Sequence, residues 1–547
     1  MPLSRRHFFY GTALAATACS SWFIHRQLNR MPTLTVNRPG LALGHALRDG
    51  QLPQTPAREH HCHTLILGSG MAALSAAWYL NKHGHRDVLI AEGPEADGNA
   101  ATFHHGDLKA PTGAHYLALP SRESRQVREM LRDLGILQQG LDSADPQYRE
   151  SDLVHAPAER LLYRGRWQDS LLPAEDADSQ RFFALIRELK RAYGTDGRKI
   201  FAIPVALSSQ DATWRALDSL TFAAWLDREG YRSESLRWYL DYCCRDDYGQ
   251  GIAQVSAFAG LHYFAARGHD NEAVLTWPDG LGHLATRLRR HIGLQTLVAL
   301  PQTASLRFSR IAALPASAIR IREEDNGVDV LLLSHPQHQV IRIRAQHVIS
   351  AMPLAVAARI THRPERYGLA GLHLPSAPWL IGNFVLKRFP REKRHENIEH
   401  ELAWDNVVHG SAGLGYVVAS HQLIRVAKPE KTVFTTYTAL NHEAPQIVRQ
   451  WLLHTDDDSL LRIAAQDLLH AYGEPVWRNV EHVDLTIRGH GMSVPHPGYL
   501  QHPVLRAVQQ HHSRLLFAHS DMSGYSVMEE ALHWGVQAAN KILSQNT

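Results

Sequence analysis

The sequence predicts an α/β fold, and three regions of the chain lead to that prediction. A tight strand–helix–strand pattern begins near His63, with buried-strand runs at residues 64–67 and 87–91. Apolar residues recur at helical spacing within residues 179–266. A last helix is predicted at residues 528–543, and strand-like runs precede it at residues 328–333, 340–344, 348–351, 380–386, 415–419 and 433–437. This order indicates a parallel-sheet domain joined to a mixed α+β region.

The composition is that of a globular protein long enough for two substantial domains. The chain has 547 residues, of which 44% are hydrophobic and 20% are charged. Its formal net charge is only +3, so no global field attracts nucleic acid, and we expect no nucleic-acid partner. Four cysteines occur, and their spacing indicates no disulfide framework.

Residues 1–30 predict a twin-arginine signal region. Residues 4–9 read SRRHFF, which fits the twin-arginine pattern, and a weakly apolar stretch follows. Residues 16–18 offer a small-residue cleavage site, while Cys19 directly after them offers lipid anchoring as an alternative. We therefore expect the twin-arginine export machinery to carry the folded protein to the periplasm or outside the cell. A chance Arg-Arg pair is the other reading, and residues 31–62 predict a linker arm.

The first strand leads into a glycine-rich turn of the kind that binds a dinucleotide. Gly68, Gly70 and Ala73 form a G-x-G-x-x-A pattern between the strand and a predicted helix. Gly68 permits the tight turn, Gly70 lets a phosphate approach the backbone, and Ala73 lets the helix pack on the strand. The free N–H groups at the helix start, from Met71, Ala72 and Ala73, favour a pyrophosphate together with the helix dipole.

The second strand of this unit ends in an acid, Glu92, twenty-four residues after Gly68. A carboxylate there accepts hydrogen bonds from ribose hydroxyls and disfavours a 2′-phosphate. The glycine pattern alone is a weak signal. Strand, glycines, helix, second strand and terminal acid in this order together predict a dinucleotide site.

The C-terminal part of the chain resembles the flavin-containing amine oxidase and phytoene desaturase superfamily. Residues 516–521, with sequence LFAHSD, are similar to the family's closing strand and its acidic FAD ligand. The resemblance implies that Asp521 contacts the ribityl–pyrophosphate region. It also implies that backbone N–H groups of Val527, Met528 and Glu529 face the flavin or its phosphates.

Other segments fit the same family. Gly98-Asn99 and the following residues resemble the glycine-rich loop beside the flavin, and Gly113-Ala114-His115-Tyr116 resembles the adjoining strand. Residues 277–282 and 347–354 resemble two further turns of the FAD domain. These segments are spread over most of residues 63–543, and their shared order makes the resemblance specific.

The resemblance implies a Rossmann-like FAD-binding domain interleaved with a mixed α+β substrate domain. The FAD-binding parts are expected at residues 63–150, 276–356 and 506–547. The helical part of the substrate domain is expected at residues 151–275 and its sheet at residues 357–505.

Several positions depart from the family pattern. The usual glycine-glycine-arginine of the first loop reads Asp97-Gly98-Asn99, and a usual glycine near the C-terminus is Glu530. No cysteine follows Cys244, so the FAD is expected to be non-covalent. The lysine that often holds a water near flavin N5 should fall near Gly382 or Asn383, where none stands.

The resemblance implies an exported FAD-dependent oxidoreductase that transfers a hydride from a small or medium amine to flavin N5. Two side chains are candidates for direct roles: His115, which titrates near neutral pH in its ordinary state, and Tyr525, at the place of an aromatic wall. Trp404, Asp405 and Tyr416 are candidates to line the substrate pocket. A structural role is the alternative for each of these residues.

Other functions and partners stay open at this point. A desaturase that acts on C–C bonds of apolar polyenes is one alternative, and a flavin-binding protein without turnover is another. Oxygen, a quinone and a cytochrome are all compatible electron acceptors. Residues 59–63, with sequence EHHCH, contain metal-ligand types, but neighbours in an extended segment alternate sides, so we expect no metal site.

Overall fold

The structure is a computed structural model, and it describes residues 32–267, 273–392, 401–424, 427 and 429–545. Two eight-stranded sheets and their covering helices make up these residues. The predicted twin-arginine signal and Cys19 lie outside the described residues. No helix within those ranges is both long and apolar enough to cross a membrane.

The strands in chain order are β1 (Thr33–Asn37), β2 (Arg58–Leu67), β3 (Val88–Ala91), β4 (Thr102–His105), β5 (Leu108–Pro111), β6 (Tyr116–Ala118), β7 (Leu137–Gln139), β8 (Gln147–Tyr148), β9 (Glu159–Tyr163), β10 (Arg166–Gln168), β11 (Val274–Thr276), β12 (Gln295–Thr296), β13 (Ala312–Leu314), β14 (Ala316–Glu324), β15 (Gly327–Ser334), β16 (Val340–Ser350), β17 (Ser376–Leu386), β18 (Asp405–Val408), β19 (Tyr416–Val418), β20 (Thr432–Ala439), β21 (Val480–Ser493) and β22 (Leu515–Phe517).

The helices are α1 (Leu41–Arg48), α2 (Met71–Lys82), α3 (Arg125–Asp133), α4 (Ala177–Leu189), α5 (Ala212–Arg215), α6 (Phe222–Arg228), α7 (Glu234–Tyr248), α8 (Ala257–Ala265), α9 (Gly282–His291), α10 (Leu354–Ile360), α11 (Pro445–His454), α12 (Asp457–Tyr472), α13 (Pro503–Gln510) and α14 (Met528–Gln545).

The first sheet carries the predicted strand–helix–strand unit. Its order is β12-β13-β3-β2-β16-β15-β14, and β22 pairs with the C-terminal end of β16. The strands β13, β3, β2, β16 and β22 run parallel, and helix α2 forms the crossover from β2 to β3. Helix α2 packs against α14, where a side chain at Gly535 would collide with the carbonyl of Ala72. This close approach brings the last helix onto the glycine-rich turn.

The second sheet has the order β1-β21-β17-β20-β19-β18-β9-β10. Helices α11 and α12 cover one face of it, in a core that contains Phe384, Phe434 and Leu468. The other face packs against the helical region, through side chains such as Tyr242 and Tyr437. The predicted α/β fold class is confirmed, since a Rossmann-like sheet is interleaved in sequence with a mixed α+β region.

Two sequence predictions need correction. Residues 31–62 are not simply a linker arm, because they contain α1, the first half of β2, and β1, which pairs in parallel with β21. The five residues of β1 carry too little pattern to indicate a strand, and their partner lies far along the chain. In addition, residues 340–344 and 348–351 are not two strands, since β16 runs unbroken between them.

Candidate functional site

The glycine-rich turn has the geometry that an anion needs. Gly68 has φ of 105°, and a Cβ there would lie 3.0 Å from the carbonyl oxygen of Ala351. Gly70 begins α2 without a side-chain cap, and the nearest atom to a Cβ placed on it is 3.8 Å away. The first N–H groups of α2, from Met71 onward, have no acceptor within the helix. A phosphate can therefore approach these N–H groups without obstruction from a side chain.

Glu92 ends β3 beside this turn and is paired with an arginine that the sequence did not indicate. Arg289 of α9 donates from Nη1 to Glu92 Oε1 at 2.7 Å and from Nε to Asp97 Oδ1, also at 2.7 Å. The remaining Nη2 of Arg289 is buried and has no partner among the described residues. Glu92 is thus paired with a cation at the place where a Rossmann-like fold binds a ribose.

The loop after β3 is held by a second distant arginine. Arg488 of β21 forms a two-point contact with the carboxylate of Glu95, at 2.8 and 3.2 Å. It also donates to the carbonyl oxygens of Thr112 at 2.8 Å and Gly98 at 3.3 Å. The motif lacks its usual arginine, and Arg488 supplies a cation to the same loop. Since almost four hundred residues separate Arg488 from Glu95, no local pattern indicates the contact.

Asn99, Gly113 and Ala114 form one close-packed layer beside that loop. The N–H of Ala114 donates to the carbonyl of Asn99 at 2.8 Å, and a side chain at Gly113 would collide with the same carbonyl. The side chain of Asn99 donates to the carbonyl of Gly491 at 2.8 Å. Asn99 therefore joins the loop to the second sheet, rather than extending toward the glycine-rich turn.

Asp521 is strongly favoured in its ionised form. Burial raises its pKa, but nearby His519 and hydrogen bonds from Ser493 and from the N–H of Leu354 outweigh burial and lower the pKa to about 2. The N–H of Leu354 donates to Oδ2 at 2.9 Å. A carboxylate that stays ionised in a buried site is a strong acceptor for ligand hydroxyl groups.

The predicted flavin segment lies at the start of α14. Val527 precedes the helix, and Met528 and Glu529 are buried within its first turn. The N–H groups of this turn have no acceptor within the helix. Burial raises the pKa of Glu529 to about 7. Glu530, where the family has glycine, accepts a hydrogen bond from the N–H of Val205 at 2.5 Å.

His115 lies in an aromatic cluster on the face of the second sheet that packs against the helical region. We define this aromatic cluster as His115, Tyr116, Tyr242, Trp404 and Tyr437, all of which belong to or contact one apolar core. The ring of His115 lies 4.5 Å from that of Tyr437, 4.9 Å from that of Tyr116 and 5.7 Å from that of Trp404. The hydroxyl of Tyr437 donates to the carbonyl of Gly113 at 3.1 Å, which attaches the cluster to the predicted flavin strand.

The structure corrects one expectation about His115. Burial lowers its pKa to about 3, so its imidazole is neutral at pH 7 rather than titrating near neutrality. A neutral imidazole can still donate one hydrogen bond and accept another. A role of His115 in contact with substrate stays a prediction.

Two carboxyl groups, Asp246 and Asp405, adjoin the aromatic cluster. Burial and the neighbouring Asp247 raise the pKa of Asp246 to about 7. Burial raises the pKa of Asp405 well above its ordinary value, and the charge of Asp246 adds to the effect. Burial and the charges of both carboxyls raise the pKa of Tyr437. The two carboxyls therefore lie close to the aromatic cluster. Arg267 pairs with Asp247 at 2.8 and 2.9 Å, and the charges of Arg267 and Arg245 oppose the shift of Asp246.

Tyr525 lies in a different group of side chains from His115. It is 1% exposed, with its ring 4.7 Å from His262 and 5.7 Å from Tyr248 in the helical core. Its hydroxyl is buried and has no hydrogen-bond partner among the described residues. The structure thus brings His115 together with Trp404 but not with Tyr525, and the aromatic-wall role of Tyr525 stays a prediction.

Two further candidates point into the structural core. Tyr416 is fully buried, and its hydroxyl bonds that of Tyr472 at 2.6 Å on the helix-covered face of the second sheet. Asn383, where the family's lysine is expected, donates to the carbonyl of Pro111 at 3.0 Å and accepts from the hydroxyl of Thr435 at 2.7 Å. Asn383 therefore joins strands in the core of the second sheet.

Residues 59–63 show the alternation that the sequence predicts. His60 and Cys62 are buried, whereas His61 faces solvent, and His60 bonds the carbonyl of Thr303 at 2.8 Å. Within the described ranges, no three histidine, cysteine, aspartate or glutamate side chains converge as a metal site would require.

Residues 66–134 match the model of a family described as an NAD(P)-binding Rossmann-like domain. This segment contains the glycine-rich turn, Glu92 and the loop up to His115. No curated protein is significantly similar to the sequence.

Solved structures with the same fold include two amine oxidases and an isomerase. A putrescine oxidase variant with redesigned cofactor binding is 14% identical, with a TM-score of 0.59 over 89% of this chain and 100% of the other. Cyclohexylamine oxidase from Brevibacterium oxydans is 17% identical, with a TM-score of 0.58 over 89% and 99%. A fatty acid isomerase from P. acnes is 15% identical, with a TM-score of 0.55 over 87% and 97%. The chain therefore has the fold of these amine oxidases and of the isomerase.

Proposed function

We propose that the protein is an exported FAD-dependent oxidoreductase that takes a hydride from a small or medium amine. The observation that carries the amine assignment is the pair Asp246 and Asp405 beside the aromatic cluster. Both have raised pKa values, and the negative charges of Asp246 and Glu159 add to the shift of Asp405. A bound ammonium group would relieve this electrostatic strain.

The residues of the nucleotide side fit FAD. The open first turn of α2 suits the pyrophosphate, Glu92 suits the ribose hydroxyls, and ionised Asp521 suits the ribityl hydroxyls. The glycine-rich loop and the strand at Gly113 would adjoin the ring. When bound, FAD supplies the hydride acceptor at its N5 atom.

The chain's own groups would orient the amine and control its proton. The faces of Trp404 and Tyr437 attract a cation or hold an apolar carbon next to the amine nitrogen. Neutral His115 lies against both rings and can accept a hydrogen bond from the amine. Because the cluster belongs to an apolar core, it also keeps water away from the reacting carbon.

The same residues argue against the desaturase alternative. A long apolar polyene needs a continuous apolar surface, whereas Asp246, Asp405 and Arg267 bring charge to this region. The hydrogen-bonded Asn383 at the lysine position favours the second alternative, a flavin protein without turnover.

The electron acceptor is proposed to be oxygen, a quinone or a cytochrome. The same proposal includes delivery through the twin-arginine machinery. The signal would then be cleaved at residues 16–18, or the protein would be lipid-anchored through Cys19.

The test is an anaerobic spectrum of protein purified from its native export route. We expect flavin absorption bands that bleach on addition of at least one primary amine from a panel of monoamines and diamines. The matched alcohols serve as controls for binding without an ammonium group. Bands that persist with every amine would favour the flavin protein without turnover, and bleaching by a polyene would favour the desaturase. Protein that releases no flavin on denaturation and binds no added FAD would contradict the proposal altogether.

A further inference from the structure

A cavity of about 290 Å³ lies between β22, α13 and α14. None of the residues assigned above to FAD or to the amine lines it. Its volume is close to the lower end of the range for small-molecule sites. Its lining residues include Arg198, His511, Phe517, His533, Trp534 and Lys541.

His533 is a buried polar group without a partner. Its side chain belongs to a residue that is 7% exposed, and its ring nitrogens bond none of the described residues. Burial lowers its pKa to about 4, so the imidazole is neutral and offers one donor and one acceptor. A buried imidazole without a partner in a cavity wall favours a ligand that completes its hydrogen bonds.

Lys541 lies two turns further along α14 and provides a fixed positive charge. Its Nζ donates to the carbonyl oxygens of Gln509 at 3.3 Å and His511 at 3.0 Å. An ammonium group has three N–H donors, so one remains for a ligand. Arg198 adds a second cation to the wall, and none of the described residues that line the cavity is acidic. The cavity therefore favours an anion.

Most of the other lining residues are apolar, and Gln509 and Gln537 add amide groups to the wall. Phe517 and Trp534 are 5% and 7% exposed, and Leu516 and Met522 beside them are each 2% exposed. A purely inorganic anion would leave this apolar surface against water. An anion with an apolar body would cover it and gain from contact with the aromatic rings.

We propose that this cavity binds a small aromatic carboxylate. The carboxylate group contacts Lys541 and Arg198 and accepts a hydrogen bond from the ring N–H of His533, and the ring of the ligand packs between Phe517 and Trp534. The proposal is independent of the amine and concerns a separate site on the same helix that begins at the predicted flavin segment.

The test is calorimetric titration of the purified full-length protein with 3-phenylpropionate. Two control ligands separate the contributions: 3-phenylpropanamide keeps the body without the charge, and inorganic phosphate keeps a charge without the body. We expect 3-phenylpropionate to bind at least about tenfold more tightly than either control. We expect Lys541→Met and His533→Phe each to weaken binding by about tenfold. Lys431→Met, which removes an exposed lysine paired with Glu481, should leave binding unchanged.

A cavity-filling variant keeps the test decisive if a buried substitution prevents folding. Gln537 is half-buried at the wall of the cavity, so Gln537→Trp should fold and block the site. Circular dichroism and the melting temperature establish folding for each variant. Equal binding of 3-phenylpropionate by Gln537→Trp and the unchanged protein would overturn the proposal. Equal binding of 3-phenylpropanamide or of phosphate, or no measurable binding of 3-phenylpropionate, would overturn it as well.

Discussion

On the two sides of the candidate site, the surroundings of buried acids shift the pKa in opposite directions. On the nucleotide side, Asp521 is surrounded by donors and its pKa falls to about 2, while Glu92 is paired with Arg289. On the substrate side, burial raises the pKa of Asp246 to about 7, and it also raises that of Asp405 well above its ordinary value. The first set is ready to accept hydrogen bonds from hydroxyl groups. The second set lacks sufficient positive charge, and a cationic ligand would supply it.

The difference shows how each side recognises its ligand. Under the proposed function, the nucleotide side offers backbone N–H groups and the ionised carboxylate of Asp521 to FAD. The substrate side would gain from a bound ammonium group, because that cation would offset the raised pKa values of Asp246 and Asp405. The following predictions test this contrast, beginning with the largest expected effect.

The nucleotide side should respond most strongly to a charge at Gly70. Gly70→Asp places a carboxylate where the pyrophosphate approaches, and repulsion should weaken FAD binding by roughly 100-fold, or about 3 kcal/mol. Because aspartate is also a favourable helix N-cap, the fold should be retained. Gly70→Asn is the matched control, since it has nearly the same shape and no charge. Fluorescence titration with FAD measures both variants, and equal affinities would show that no phosphate binds at this turn.

The substrate side should respond to removal of either carboxyl group. Asp405→Asn and Asp246→Asn should each weaken amine binding by about 30-fold, or about 2 kcal/mol, while FAD affinity stays unchanged. Spectral titration of the flavin-loaded protein with an amine and with the matched alcohol gives the measurement. Equal losses for both ligands would mean that the carboxyl groups support the fold and do not pair with the ammonium group.

Arg289 tests whether pairing of the nucleotide-side acids matters for the cofactor. Arg289→Gln leaves Glu92 and Asp97 without their shared cation, and we expect FAD affinity to fall by about tenfold. The amine affinity of protein saturated with FAD should not change. A variant that binds FAD as tightly as the unchanged protein would contradict this role. Arg290→Gln, on the neighbouring position of α9, is the control.

The smallest predicted effect concerns stability against pH. The pKa of Asp246 is raised from 3.8 to about 7 on folding, so the folded protein keeps a proton that the unfolded chain loses. This stabilising contribution is present below about pH 4 and is lost as the pH rises toward 7. The slope per group is at most about 1.4 kcal/mol per pH unit. Urea unfolding between pH 4 and 7 should show a shallower decline in the free energy of unfolding for Asp246→Asn than for the unchanged protein. Asp107→Asn, at an exposed turn, should show the same decline as the unchanged protein.

The sequence was sufficient for the features that depend on neighbouring residues. Gly68, Gly70 and Glu92 belong to one strand–helix–strand unit, whose periodicity and turn chemistry are local. Arg289 and Arg488 could not be predicted, because they reach the loop after β3 from elements hundreds of residues away. The surroundings of Asp246 could not be predicted either, since nothing local shows that a sheet packs against helix α7. The strand at residues 33–37 was missed for the same reason.

The pairing of β1 with β21 determines when the second sheet can be completed. Thr33 lies opposite His482, so one of the earliest strands to leave the ribosome must wait for one of the last. Contacts of such long sequence separation form slowly, and β1 remains an unpaired edge during synthesis. Translation must therefore pass β21 before the sheet closes. A chain released before that point would keep the glycine-rich turn but would leave its first strand without a neighbour.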